Sequence, residues 1–228
     1  MKYLKKTFSL IELLIVISVI LILISLLSPS LNKMLRSAHE TVCANGIRDL
    51  LITTHAFADD SNGKFMDLGN RPLYYASAYW RKKFTTEYNL NRDHFYSPSN
   101  EKWNTDSFYY FNKGKDMVMA RFYFGSSSVQ GSLHNVTPSK DRGTPTFASK
   151  NYDMPKQKVL WTDLNRKWNG YFLNPEDINR RQGANHLYSP DITWPSLSHN
   201  GLIDGSIETP DQFEIKFRLK FRNAEYHW

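Results

Sequence analysis

The 228-residue chain predicts an α+β protein: a long N-terminal α-helix, transmembrane in its first half, whose second half packs on an antiparallel β-sheet head. Three observations carry this. Residues 8–27, FSLIELLIVISVILILISLL, hold a single charge, Glu12, and as a helix they span about 30 Å, the thickness of bilayer hydrocarbon. After Pro29 apolar residues recur at near-helical spacing up to Asp60. From residue 64 onward, short apolar or alternating runs stand between clusters of Gly, Pro, Ser and Asn, the pattern of strands and turns.

Composition narrows the class. With 41% apolar and 22% charged residues the chain is neither wholly disordered nor collagen-like. Its one cysteine, Cys43, excludes an internal disulfide and any four-cysteine or Cys2His2 zinc site within one chain. The net charge of +7 is uneven: Lys2, Lys5, Lys6, Lys33 and Arg36 against Glu12 place +4 in residues 1–36 and leave +3 for the rest. A basic cluster flanking a membrane span accounts for that better than a nucleic-acid footprint, so no nucleic-acid partner is expected.

The leader, residues 1–7, supplies three lysines ahead of the apolar run. By the positive-inside rule they hold the N-terminus in the cytoplasm and send the head across the membrane. A cleaved secretory signal has a shorter apolar core, about 7–15 residues, and ends in an Ala-x-Ala-like site, which is missing here. Glu12 needs an explanation, because a carboxylate inside a spanning helix costs about 2–3 kcal/mol. The span contains no basic residue to neutralise it. Its partner is expected on another molecule, unless it reaches the headgroups.

The run Lys5-Lys6-Thr7-Phe8-Ser9-Leu10-Ile11-Glu12-Leu13-Leu14-Ile15-Val16 resembles the N-terminal signature of type IV prepilins and type II secretion pseudopilins. The resemblance covers residues 5 to about 36. It implies a pilin-like fold, cleavage by a prepilin peptidase between Thr7 and Phe8, N-methylation of Phe8, and Glu12 at the fifth mature position. It also implies a helix-loosening proline at Pro29. The methylated amine of Phe8 would then pair with Glu12 of a neighbouring subunit and set the stagger of a filament, as a buried polar residue sets register in a coiled coil. The family has Gly before the cut where this chain has Thr7, so an uncleaved, membrane-tethered periplasmic binding protein stands as the alternative.

Residues 29–60 form the amphipathic continuation of the helix, with apolar positions including Leu31, Leu35, Val42, Ile47, Leu50 and Leu51. Gly46 weakens it and Asp59-Asp60-Ser61-Asn62-Gly63 stops it. Asp59, Asp60 and Asn62 are first a helix cap. As a calcium site, the single cofactor considered, they lack the distal bidentate Glu of the helix–loop–helix loop. The Cys43-Ala44-Asn45 stretch and this helix end are similar to a large pseudopilin-like group, as is His199-Asn200-Gly201-Leu202-Ile203-Asp204-Gly205.

In the head, residues 61–228, strands are expected at residues 108–111, 117–124, 158–162, 202–203, 206–208 and 213–221, with a hairpin turn at Asp204-Gly205 and a mobile loop over 125–143. Cys43 reads as a half-buried helix residue, Asp163 as a turn residue, and His186 and His199 as surface or turn residues. No nucleophile elbow, zinc-protease helix, phosphate loop or paired-cysteine motif occurs. The expectation is a non-enzymatic structural subunit of a type II secretion pseudopilus or type IV pilus-like fibre. Its expected partners are prepilin peptidase, other pseudopilin subunits, inner-membrane lipid and the secretion or pilus assembly platform.

Overall fold

The computed structural model describes residues 9–68, 73–125, 137–138, 148–153, 155, 158–168, 183–186, 194–211, 213–215, 217–221 and 224–228. The chain divides into two compact units, Met1–His39 and Glu40–Trp228. One helix, α1 (Leu10–Asp60), contributes to both.

In the first unit α1 begins at the Ser9–Glu12 pair. The Ser9 N–H donates to Glu12 Oε2 at 2.9 Å, and Ser9 Oγ accepts from the Ile11 N–H at 3.4 Å. This is a capping-box arrangement, in which a Ser and a Glu three residues later satisfy orphan donors of the first turn. Ser18 and Ser25 turn their hydroxyls back on the carbonyls of Ile15 and Ile22, so neither needs an outside partner in an apolar medium. Pro29 lies inside the helix, which continues past it although Pro cannot donate to the carbonyl one turn earlier. The large apolar side chains of residues 10–27 are exposed all round the helix. It is the one described helix long and apolar enough to cross a membrane.

In the second unit α1 buries Cys43, Gly46, Ile47, Leu50, Leu51, Thr53, Thr54 and Ala58, a stripe at helical spacing. Gly46 does not interrupt it. The helix ends as its sequence predicts: Asn62 takes the left-handed conformation (φ 53°), and the Gly63 N–H reaches back to the Ala58 carbonyl at 2.8 Å.

Among the described residues the remainder holds three antiparallel sheets. Strands β1 (Tyr75–Ser77) and β2 (Asp116–Val118) pair with each other. Strands β3 (Arg121–Tyr123), β5 (Val159–Asp163), β8 (Asn200–Leu202) and β9 (Ile207–Glu208) form a four-stranded sheet in that order. The five-stranded sheet runs β4 (Thr137–Pro138), β10 (Phe217–Phe221), β11 (Ala224–His227), β6 (Asn165–Trp168), β7 (Gly183–Ala184). Short helices α2 (Ala78–Thr86) and α3 (Asp106–Tyr109) complete the described elements used below.

Several expected strands change. Residues 108–111 fall in α3 and the turn after it. Residues 117–124 divide between β2 and β3, which belong to different sheets. Among the described residues of the alternating run 213–221, β10 alone is strand: Asp211 accepts backbone N–H bonds from Phe213 and Glu214 and makes the first part a turn, with Phe213 81% exposed. The Asp204-Gly205 hairpin is present, with Gly205 at φ 83° and the Leu202 N–H donating to the Ser206 carbonyl at 2.8 Å. Of the loop expected over 125–143, residues 126–136 and 139–143 lie outside the described residues.

The core is aromatic. Tyr123 packs at a tilt against Trp161 (4.5 Å between centroids), Phe124 against Trp228 (4.7 Å) and Phe84 against Phe95 (5.2 Å). The face of the four-stranded sheet that meets α1 carries Tyr123, Trp161 and Gly201 in register. A Cβ on Gly201 would come within 2.8 Å of Ile47 Cγ2 and Leu51 Cδ1, so only a glycine lets the helix approach the sheet this closely. Trp161 Nε1 donates to Thr54 Oγ1 at 2.9 Å and ties the two together.

Candidate functional site

The strands place a second feature on that same face. Arg121 on β3 stands directly opposite Asp163 on β5, and strand alternation puts Asp163 on the side of Trp161, toward α1. Both side chains are fully buried and they form an ion pair. Asp163 Oδ1 forms the ion pair with Arg121 Nη1 and accepts a hydrogen bond from Asn185 Nδ2 (2.8 Å). On Oδ2 it accepts from the His199 backbone N–H (2.8 Å), His199 Nδ1 (2.8 Å) and His186 Nε2 (3.0 Å). An ionised carboxylate only accepts, so the proton of each facing ring nitrogen is fixed by this contact.

Local structure explains the convergence. His199 precedes β8, and Asp163 holds its backbone on both sides: the Asp163 N–H donates to the His199 carbonyl at 3.1 Å and the His199 N–H donates to the Asp163 side chain. Asn185 and His186 follow β7, whose pairing with β6 carries them to Leu164, where the Asn185 N–H donates to the Leu164 carbonyl at 3.0 Å. Asn185 Nδ2 also donates to the Ala120 carbonyl at 2.7 Å. On the other face of β5, Thr162 Oγ1 donates to Asn200 Oδ1 at 2.5 Å.

Cys43 of α1 closes the group. Its Sγ lies 2.9 Å from Ser97 Oγ, and Arg121 Nη2 donates to its backbone carbonyl at 3.4 Å. Burial raises the thiol pKa, but the Arg121 guanidinium, a hydrogen bond with His186 and the Ser97 hydroxyl outweigh it and bring the thiol down to about 7. Burial pushes His199 down to about 3, with His186 and Arg121 acting the same way and Glu40 opposing them, so its ring is neutral. Donor atoms of Cys43, Asp163 and His186 lie within 4.8 Å of one another.

These positions correct the expectations for the head. Cys43 is fully buried rather than half-buried, Asp163 ends a strand inside the core rather than serving a turn, and His186 and His199 are buried against a carboxylate rather than at the surface. The reason is packing: the Arg121 cation and the ring N–H groups supply what a buried carboxylate requires. Trp194 is partly buried, with its ring 5.0 Å edge-on to His227.

The residues predicted from the prepilin-like signature sit apart from this cluster in the chain. Thr7 and Phe8 lie outside the described residues. Glu12 has the intramolecular partner described above, the Ser9 N–H, which the sequence reading did not include. Asp59 and Asp60 are exposed at the end of α1, beside the left-handed Asn62. Compared with known family models, curated proteins and solved structures, the chain matches none.

Proposed function

We propose that this chain is a membrane-anchored, non-enzymatic structural subunit of the pseudopilin type. It would be matured by a prepilin peptidase between Thr7 and Phe8, methylated on Phe8, and built into a type II secretion pseudopilus or type IV pilus-like filament. The observation that carries the reading is the form of α1: one helix of 51 residues, apolar on every side over its first half with Glu12 as the one acid there, and embedded in a β-rich head from Cys43 onward. A simple tether needs neither that continuity nor an acid in its span.

In this reading the capping box and the filament contact are successive uses of one carboxylate. In the lone subunit Glu12 satisfies the Ser9 N–H. In a bundle of such helices a positive Phe8 amine from the neighbour supplies a full counter-charge, a stronger partner than one peptide N–H in a medium without water. The capping box also favours the second reading, an uncleaved membrane-tethered periplasmic binding protein, because it lets Glu12 exist in a lone helix.

N-terminal and intact-mass analysis of the protein extracted from membranes of cells with an active prepilin peptidase separates the two. A chain beginning with methylated Phe8 supports the subunit. A chain beginning at Met1 supports the tether. Glu12→Ala is expected to reduce recovery in sheared filaments at least several-fold while leaving the head folded, and undiminished incorporation would refute the pairing.

A further inference from the structure

We propose that Cys43, Asp163 and His186, with His199 as the fourth donor, form a buried binding site for one divalent transition-metal ion of the zinc class. Three side chains distant in the sequence, from α1, the end of β5 and the residue pair after β7, bring a sulfur, a carboxylate oxygen and an imidazole nitrogen within 4.8 Å of one another in the core, and His199 Nδ1, from the residue before β8, meets the same carboxylate at Oδ2 (2.8 Å). Sulfur with imidazole and a single carboxylate is the donor mixture that zinc-class ions take, and that calcium and magnesium do not.

The carboxylate is divided in the way a ligating carboxylate is. Oδ2 faces both imidazoles, whereas Oδ1 is held from behind by Arg121 and Asn185. Such outer contacts orient a ligating carboxylate, and Oδ2, which also accepts the His199 backbone N–H at 2.8 Å, keeps a lone pair toward the ring nitrogens. The present 2.8 and 3.0 Å contacts from Oδ2 to the two ring nitrogens are hydrogen-bond lengths. A tetrahedral ion with nitrogen and oxygen ligands at about 2.0–2.2 Å separates them by roughly 3.3 Å. The edges therefore open by a few tenths of an ångström as each ring proton moves to the ring's other nitrogen and the ion takes its place, and Cys43 Sγ, within 4.8 Å, draws in and releases its proton to solvent.

Charge supports the same conclusion. A bound ion displaces the thiol proton, so the Cys43 thiolate and the Asp163 carboxylate face it, while the Arg121 cation is paired at the carboxylate's other oxygen, Oδ1. The four donors are buried, so the site is closed and its role is to hold α1 to the four-stranded sheet.

The test uses the full-length protein purified in detergent, stripped with chelator and reloaded with zinc or cobalt(II). The expected result is about one ion per chain by elemental analysis, with a sulfur-to-cobalt charge-transfer band in the cobalt form. Cys43→Ser abolishes the band, and His186→Gln weakens zinc binding by at least tenfold. His94→Gln, at the half-buried His94–Asp49 pair on the surface of the same helix, leaves both unchanged. Sub-stoichiometric metal in the unaltered protein, or a cobalt complex without the sulfur band, overturns the proposal. Both readings need only the unaltered chain, so a variant that fails to fold does not shelter it.

Discussion

Replacing Asp163 by Leu probes the buried network most directly, and the structure sets the magnitude. The change strands Arg121, 1% exposed at its side chain, without its counter-charge, and breaking one side of a buried ion pair costs about 3–5 kcal/mol. It also orphans the His199 backbone N–H and one of the two N–H donors of Asn185 Nδ2, the other staying on the Ala120 carbonyl; a buried donor without a partner costs about 1–3 kcal/mol. Arg121→Met is milder, because Asp163 then keeps Asn185, His186 and both donors of His199. In the double variant no charge is left stranded. Its loss should therefore fall short of the summed single losses by about 2–3 kcal/mol, the upper end for residues in one network. The assay is urea unfolding of the chelator-stripped, detergent-solubilised full-length chain, followed by the fluorescence of buried tryptophans such as Trp161. Additivity within about 0.5 kcal/mol, or an Arg121→Met loss as large as that of Asp163→Leu, would refute the account of Asp163 as the hub.

Two further outcomes rest on other contacts. Gly201→Val should destabilise the head by about 1–3 kcal/mol, and more than Gly201→Ala does, because any Cβ there meets Ile47 and Leu51; equal stability of the Val variant and the unaltered chain by the same unfolding assay would show that α1 does not approach β8 so closely. Burial, helped by the Lys167 ammonium, lowers His227 to about 3, whereas in the unfolded chain it takes up its proton near pH 6.5. Between these values the unfolded state binds more protons, so stability is full above about pH 6.5 and falls as pH drops toward 3, by up to about 1.4 kcal/mol per pH unit for this one group. His227→Phe should flatten the urea midpoint against pH over that window, and an unchanged slope would mean that His227 is protonated in the folded head.

How much of this could be read from the sequence depends on the range of the contacts involved. The helix and its end were legible because everything they need is local: an unbroken apolar run, a Ser9–Glu12 spacing of three, and an Asn-Gly that turns left-handed within one turn of Asp60. The Asp204-Gly205 hairpin is local too. The alternating run before β10 misled because Asp211 captures the N–H groups of Phe213 and Glu214 before a neighbouring strand can. The buried cluster was hidden for the opposite reason. Arg121 meets Asp163 through sheet register, Cys43 reaches them through helix packing, and His186 arrives through the pairing of β7 with β6, none of which leaves a spacing in the chain. One clue was present all the same. In Trp161-Thr162-Asp163 the strand period places Asp163 on the face of Trp161. If that tryptophan is core, the carboxylate is core as well, and a buried carboxylate requires cations or N–H donors from elsewhere in the fold. The chain could supply them only from its few residues able to lie inside while donating, and His199 followed at once by the strand Asn200–Leu202 is one such place. Followed to its end, the period-two argument exchanges a turn aspartate for a demand on the rest of the molecule, and Arg121, Asn185, His186 and His199 together meet that demand.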